Sequence, residues 1–82
     1  MSSGPPSSLA ALSPGKSATI RALSVSAREA AWLRAVGLEE GVEVTVLRRA
    51  PFRGPLHVRT AGGAELAVDW ALAGQVLLGA SA

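Results

Sequence analysis

The sequence predicts a mostly β chain that curls into a small closed or nearly closed barrel, with one helix set into it. Three observations carry this reading. Apolar and polar residues alternate with a period of two in several short runs. A single segment, between the first run and the second, carries helical start, face and stop signals. Glycine and proline punctuate the chain between the runs, leaving only short turns. Five short strands in 82 residues leave exposed edges unless the sheet curls on itself.

The elements follow in order. Residues 1–8 are Ser, Gly and Pro around one Met. They offer little apolar surface to bury, so a disordered tail is expected there, with the domain at residues 9–82. Leu9 and Leu12 are expected to pack just before a Ser13-Pro14-Gly15 turn. In residues 17–23, Ala18, Ile20 and Ala22 share a face opposite Thr19 and Arg21, the pattern of a strand.

The helical signals lie in residues 26–38. Ser26 followed three positions later by Glu29 is a capping box, in which each side chain satisfies a free backbone donor of the first turn. Ala30, Leu33 and Val36 recur at helical spacing, with Arg28 and Arg34 toward the other side. Gly37 stands where a left-handed residue ends a helix, and Leu38 can fold back on the last turn.

Residues 42–49 alternate again, with Val42, Val44 and Val46 on one face. Pro51 ends that strand, since proline donates nothing to a ladder. Leu56, Val58 and Thr60 form the inner face of the next strand, and Gly62-Gly63 signals a hairpin into residues 64–69. A short turn from Trp70 to Gly74 then leads to a last strand beginning at Gln75. The larger core side chains are expected to be Ile20, Leu33, Leu38, Val44, Val46, Val58, Leu66, Val68 and Val76.

Composition narrows the function. Apolar residues make up 49% of the chain, yet no stretch approaches the roughly 20 a membrane helix needs. The first residues lack the basic start and apolar run of a secretory signal. A soluble, cytoplasmic protein without membrane insertion is expected. With no cysteine there is no disulfide, thiolate nucleophile or cysteine metal site. Net charge is +2, and Glu39, Glu40, Glu43, Glu65 and Asp69 dilute the basic residues. Nucleic-acid modules carry a denser positive face with several aromatic platforms, whereas this chain has two Trp and one Phe.

The candidate sites are few. His57 is the single histidine and has arginine neighbours that repel a cation, so no metal and no cofactor is expected. Glu39 and Glu40 are adjacent in a turn without a nucleophile, which gives no basis for an enzyme. The loop of residues 50–55, APFRGP, has two readings. Pro51, Gly54 and Pro55 can simply bend the chain between strands. Alternatively, the stiff loop presents Phe52 and Arg53 to a partner, since aromatic and arginine side chains are favoured anchors. Its neighbours Leu33 and Val36 assign Trp32 to the core; turned outward it becomes an interface anchor beside Arg28. Trp70 poses the same question. Arg28, Trp32, Phe52 and Arg53 are therefore the candidate partner-binding residues.

Three stretches together resemble a known family: LSPGKSATI, then WLRAVGLEEGVEVTVLRRAPFRGPLHVRTAGGAELAV, then QVLL. Over residues 9–78 the chain is similar to the bacterial ferrous iron transport protein A (FeoA) family. The resemblance implies an SH3-like barrel with a helical insertion, and a cytoplasmic accessory protein of ferrous iron uptake. It implies a protein partner, the membrane ferrous iron transporter with its GTP-binding domain, and a regulatory rather than an iron-carrying role. Two alternatives stay open: a nucleic-acid-associated SH3-like module, and a stand-alone regulatory domain related to iron-dependent repressors. The pattern departs from the family at Trp32, Glu40, Asp69 and Leu72. Where those family positions touch the transporter, a different contact surface is implied here.

Overall fold

In the computed structural model, residues 7–79 are described. Five strands form one antiparallel sheet: β1 (Ser17–Leu23), β2 (Glu43–Arg49), β3 (Leu56–Thr60), β4 (Glu65–Val68) and β5 (Val76–Leu78). Their order across the sheet is β4-β3-β2-β1-β5. Helix α1 (Ala27–Ala35) lies between β1 and β2, and α2 (Trp70–Ala73) lies between β4 and β5. A 3-10 turn (Leu9–Ala11) precedes β1 and packs against α2 and β5.

The inner face follows from the alternation. Ala18 and Ile20 of β1, Val44 and Val46 of β2, and Leu56 and Val58 of β3 are all buried. They close on Leu33 and Leu38 from the helical segment and on Leu9 and Leu12 from the start of the domain. Of the large residues expected in the core, only Leu66 is half-buried, packed at its margin. On the outer face Ser17 and Thr45, opposite each other on β1 and β2, join their hydroxyls at 2.6 Å.

Three features differ from the expected fold. First, the sheet does not close into a barrel: among the described residues, no ladder joins β4 to β5. The free edge of β5 is instead taken by the chain before the 3-10 turn. Ser8 bridges to Leu77, and the Leu78 amide donates to the Ser7 carbonyl at 3.0 Å. Second, Ser7 and Ser8, the last two residues of the expected tail, contact β5 through this isolated bridge and hydrogen bond; residues 1–6 of that tail lie outside the described residues. Third, α1 is not alone. The Trp70–Gly74 turn is a one-turn helix because Asp69 caps it, accepting from the amides of Ala71 (3.1 Å) and Leu72 (3.4 Å).

Helix α1 starts and stops as its residues dictate. The Glu29 amide donates to Ser26 Oγ at 3.2 Å, while Glu29 Oε1 accepts from the Ser26 amide at 3.4 Å. At the other end, the Leu38 amide reaches the Leu33 carbonyl (2.8 Å) and the Gly37 amide reaches the Arg34 carbonyl (3.1 Å). This paired closure needs a left-handed residue, and Gly37 has φ of 103°. A Cβ there would also stand 3.4 Å from Thr60 Cγ2. Gly37→Ala is expected to cost about 1–2 kcal/mol, read as a lowered urea midpoint at unchanged slope.

Two bulges interrupt the ladders. One falls at Arg21, between the pairs Ile20–Leu78 and Ala22–Leu77. The other falls at Leu47: Val46 pairs with Val58, but Arg48 pairs with His57. Strict alternation after Val44 and Val46 would turn Arg48 toward the core. The extra residue reverses the phase and sends Arg48 outward, opposite His57.

Candidate protein-contact surface

The β2–β3 connection is a tight turn with an uncommon occupant. The Ala50 amide donates to the Pro55 carbonyl (3.0 Å), and the Gly54 amide donates to the Pro51 carbonyl (3.1 Å). The two central residues, Phe52 and Arg53, both have φ of 58°. That is the left-handed conformation normally given to Asn or Gly, and it costs an ordinary residue roughly 1–2 kcal/mol. Gly54 is required for another reason: a Cβ there would lie 2.6 Å from the Ala50 Cβ.

The turn aims its side chains away from the protein. Phe52 is 99% exposed. The Arg53 guanidinium lies over the Trp70 ring, 5.0 Å from its centroid. Such stacking at an exposed site contributes about 0.5–1 kcal/mol and fixes the direction of the arginine. Trp70 is 37% exposed and begins the Asp69-capped helix, so its ring is held at the mouth of the turn. Arg49, Arg53, Leu56 and Trp70 also line a small cleft of about 150 Å³. Phe52, Arg53 and Trp70 thus form one surface of aromatic and cationic groups.

Arg28 and Trp32 stand elsewhere. Both are on α1, whose terminal Gly37 lies against Thr60, at the end of β3 away from the Phe52–Arg53 turn. Trp32 is 49% exposed, which corrects its assignment to the core. Only Ala30 and Leu33 of this short helix are buried, and Trp32 projects about 100° round the axis from Leu33. Arg28 is exposed. Among the described residues, no hydrogen bond or ion pair joins these two side chains to the turn.

Arg34, His57 and Arg59 have carboxylate neighbours. Arg34 holds Glu40 through two contacts, Nε to Oε1 at 3.1 Å and Nη2 to Oε2 at 2.8 Å, tying the end of α1 to the loop before β2. The hydrogen bond from Arg34, aided by one from the Glu40 backbone, draws the Glu40 carboxyl from 4.5 down to about 2. A carboxylate whose folded value is depressed stabilises the fold above its ordinary range and loses that contribution as pH falls. The window here runs from about pH 4.5 to about 2. Both groups are open to water, so the effect is a shallow slope rather than a transition. Glu40→Gln should flatten the dependence of the urea midpoint on pH across that window, lowering the midpoint slightly at neutral pH and leaving it unchanged at the acid end, where the native carboxyl is already protonated.

His57 is half-buried on the outer sheet face, with Nε2 3.4 Å from Glu65 Oε1; Glu65 also lies 4.0 Å from Arg59. Among the described residues, no three His, Asp or Glu side chains gather as a metal site would require.

The surface described above sits on a fold with known relatives. The FeoA domain family matches residues 7–78. The chain belongs to the FeoA family. Among solved structures, an iron uptake regulatory protein (FeoA) is 27% identical with a TM-score of 0.77, over 85% of this chain and 91% of its own. FeoA from Chlorobium tepidum is 25% identical with a TM-score of 0.82, over 92% and 70%. Stenotrophomonas maltophilia FeoA, described as a prokaryotic SH3 domain protein and complexed with zinc, is 26% identical with a TM-score of 0.73, over 88% of each chain. A manganese-dependent transcriptional repressor shares the fold alone, at 22% identity and a TM-score of 0.80, over 92% of this chain and 37% of its own. No curated protein matches. This FeoA domain is thus SH3-like, with its sheet open between the β4 and β5 edges.

Proposed function

We propose that this FeoA domain is a cytoplasmic accessory protein of ferrous iron uptake that docks on the membrane ferrous iron transporter and biases one of its conformations. It contributes no catalysis and carries no iron; it acts by binding one state of its partner better than another. The family membership supports the setting, and a role as a ferrous iron transport activating factor has been put forward for the Stenotrophomonas protein. The observation that carries the docking surface is the turn. Phe52 is almost wholly in water, on a backbone that its residue type disfavours, beside an arginine stacked on Trp70. A strained, outward aromatic contributes nothing to the fold, and such strain clusters where molecules are bound. Trp32 and Arg28 on α1 form a second, separate contact.

No helix of the described residues is long and apolar enough to cross a membrane, so contact with the transporter is made from the protein surface. Capture of the tagged chain from its native cells, read by mass spectrometry, is expected to recover the transporter. Recovery of nucleic acid or of a transcriptional partner instead would overturn the reading.

A further inference from the structure

The outer sheet face carries a groove of about 410 Å³ that the Phe52 turn does not occupy. Arg48, Arg49 and His57 supply its polar groups, and Ala50, Pro51, Pro55 and Ala67 supply apolar wall. Arg48 reaches it only because of the Leu47 bulge, which brings it opposite His57, while Ala67 pairs with His57 from the other side. Among the described residues, neither Arg48 nor Arg49 has a carboxylate within ion-pair distance; the nearby Glu65 serves His57 and Arg59. Two arginines without an ion-pair partner thus line the groove beside an apolar strip, with Arg49 at the wall shared with the Trp70 cleft. Ala67 places one wall on β4, which ends the sheet on that side among the described residues.

We propose that this groove binds an extended acidic segment of a protein partner, with carboxylates on Arg48 and Arg49 and an apolar side chain against Pro51, Pro55 and Ala67. Guanidinium groups match carboxylates in paired hydrogen bonds, which gives orientation as well as charge. A free sheet edge suits an extended chain. Nucleic acid fits less well, because no Phe, Tyr or Trp lines the groove and bases find no ring to stack on. The proposal rests on the reading of this chain as a protein-binding module, without depending on which protein it binds.

The test uses the full chain and a fluorescein-labelled peptide of glutamates around a central leucine, followed by anisotropy. Saturable binding that weakens with added salt is expected. The same peptide with glutamine in place of glutamate should bind at least about tenfold more weakly. Arg48→Glu with Arg49→Glu should lower affinity by a similar factor while circular dichroism stays unchanged, since both side chains are exposed. Arg48→Glu alone should already lower affinity, whereas Arg21→Glu, the same charge change at a bulge on β1, should leave it unaltered, which excludes a net-charge effect. Equal binding of the glutamine peptide, indifference to the Arg48/Arg49 change, or tighter binding of oligothymidylate or phosphatidylserine vesicles would overturn the proposal. Because no transporter enters this assay, its failure is separate from failure of the capture experiment.

Discussion

Val44→Asp is expected to unfold the domain. Val44 is fully buried, and its strand position is fixed from both sides, by Ala18 on β1 and Thr60 on β3. A carboxylate there meets only the apolar interior. An unpaired buried charge, or the proton uptake needed to neutralise it, costs several kcal/mol. A domain of this size has little stability to lose. The expected readout is loss of the cooperative urea transition and of β-type circular dichroism. A folded Val44→Asp protein would mean that β2 presents its other face, because a slip of one residue exchanges the two faces. The neighbouring Thr45→Asp, on the outer face, serves as the comparison and should stay folded.

The second large effect concerns function. On the proposed docking to the transporter, Phe52→Ala is expected to weaken binding by about 2 kcal/mol, roughly thirtyfold, because an exposed aromatic anchor carries a disproportionate share of an interface. Stability should change by less than about 0.5 kcal/mol, since the ring touches almost only water. Phe52→Gly separates the two roles further. It removes the same ring and also the left-handed penalty, so it should raise stability by up to about 1 kcal/mol while binding is lost. A stabilised yet inactive variant would identify the turn as a place where the fold tolerates strain for the sake of contact. A variant that unfolds more easily would instead make Phe52 part of the packing. Full binding by either variant would move the docking surface away from the turn.

How far the sequence could be read differs between elements, for physical reasons. The inner faces of β1 as far as Ile20, of β2 as far as Val46 and of β3, the capping box at Ser26 and the Gly37 closure depend on local spacing, and they appear where spacing puts them. Ala22, expected beside Ala18 and Ile20, instead pairs with outward Leu77 because the Arg21 bulge reverses the phase, and Leu23 turns to the core. The bulges at Arg21 and Leu47 depend on a partner strand, so no local pattern announces them. The outward aim of Arg48 was therefore illegible. Trp32 has apolar neighbours, but a short helix touches the sheet along a narrow stripe and leaves that position in water. The open seam arises because Ser7 and Ser8 occupy the edge of β5, a pairing that serines in a Pro-rich start do not suggest. At the turn, Pro51 and Gly54 were legible as a bend. That Phe52 and Arg53 take the left-handed positions was not, because those positions usually belong to Asn and Gly.

Two of the four departures from the family pattern, Glu40 and Asp69, have local explanations. Glu40 is the partner that Arg34 clasps at the end of α1. Asp69 caps α2 and so helps hold Trp70 beneath Arg53. Both residues serve the architecture around the proposed binding surfaces rather than those surfaces themselves.

The surplus residue in β2 divides the labour of a single ribbon. Upstream of Leu47, Val44 and Val46 serve cohesion; downstream, Arg48 and Arg49 are exposed and, on the proposal above, meet another molecule. Tolerance to mutation should break at the same point. Damage at Val44 or Val46 would appear as lost soluble yield, and damage at Arg48 or Arg49 as lost affinity in protein recovered at normal yield.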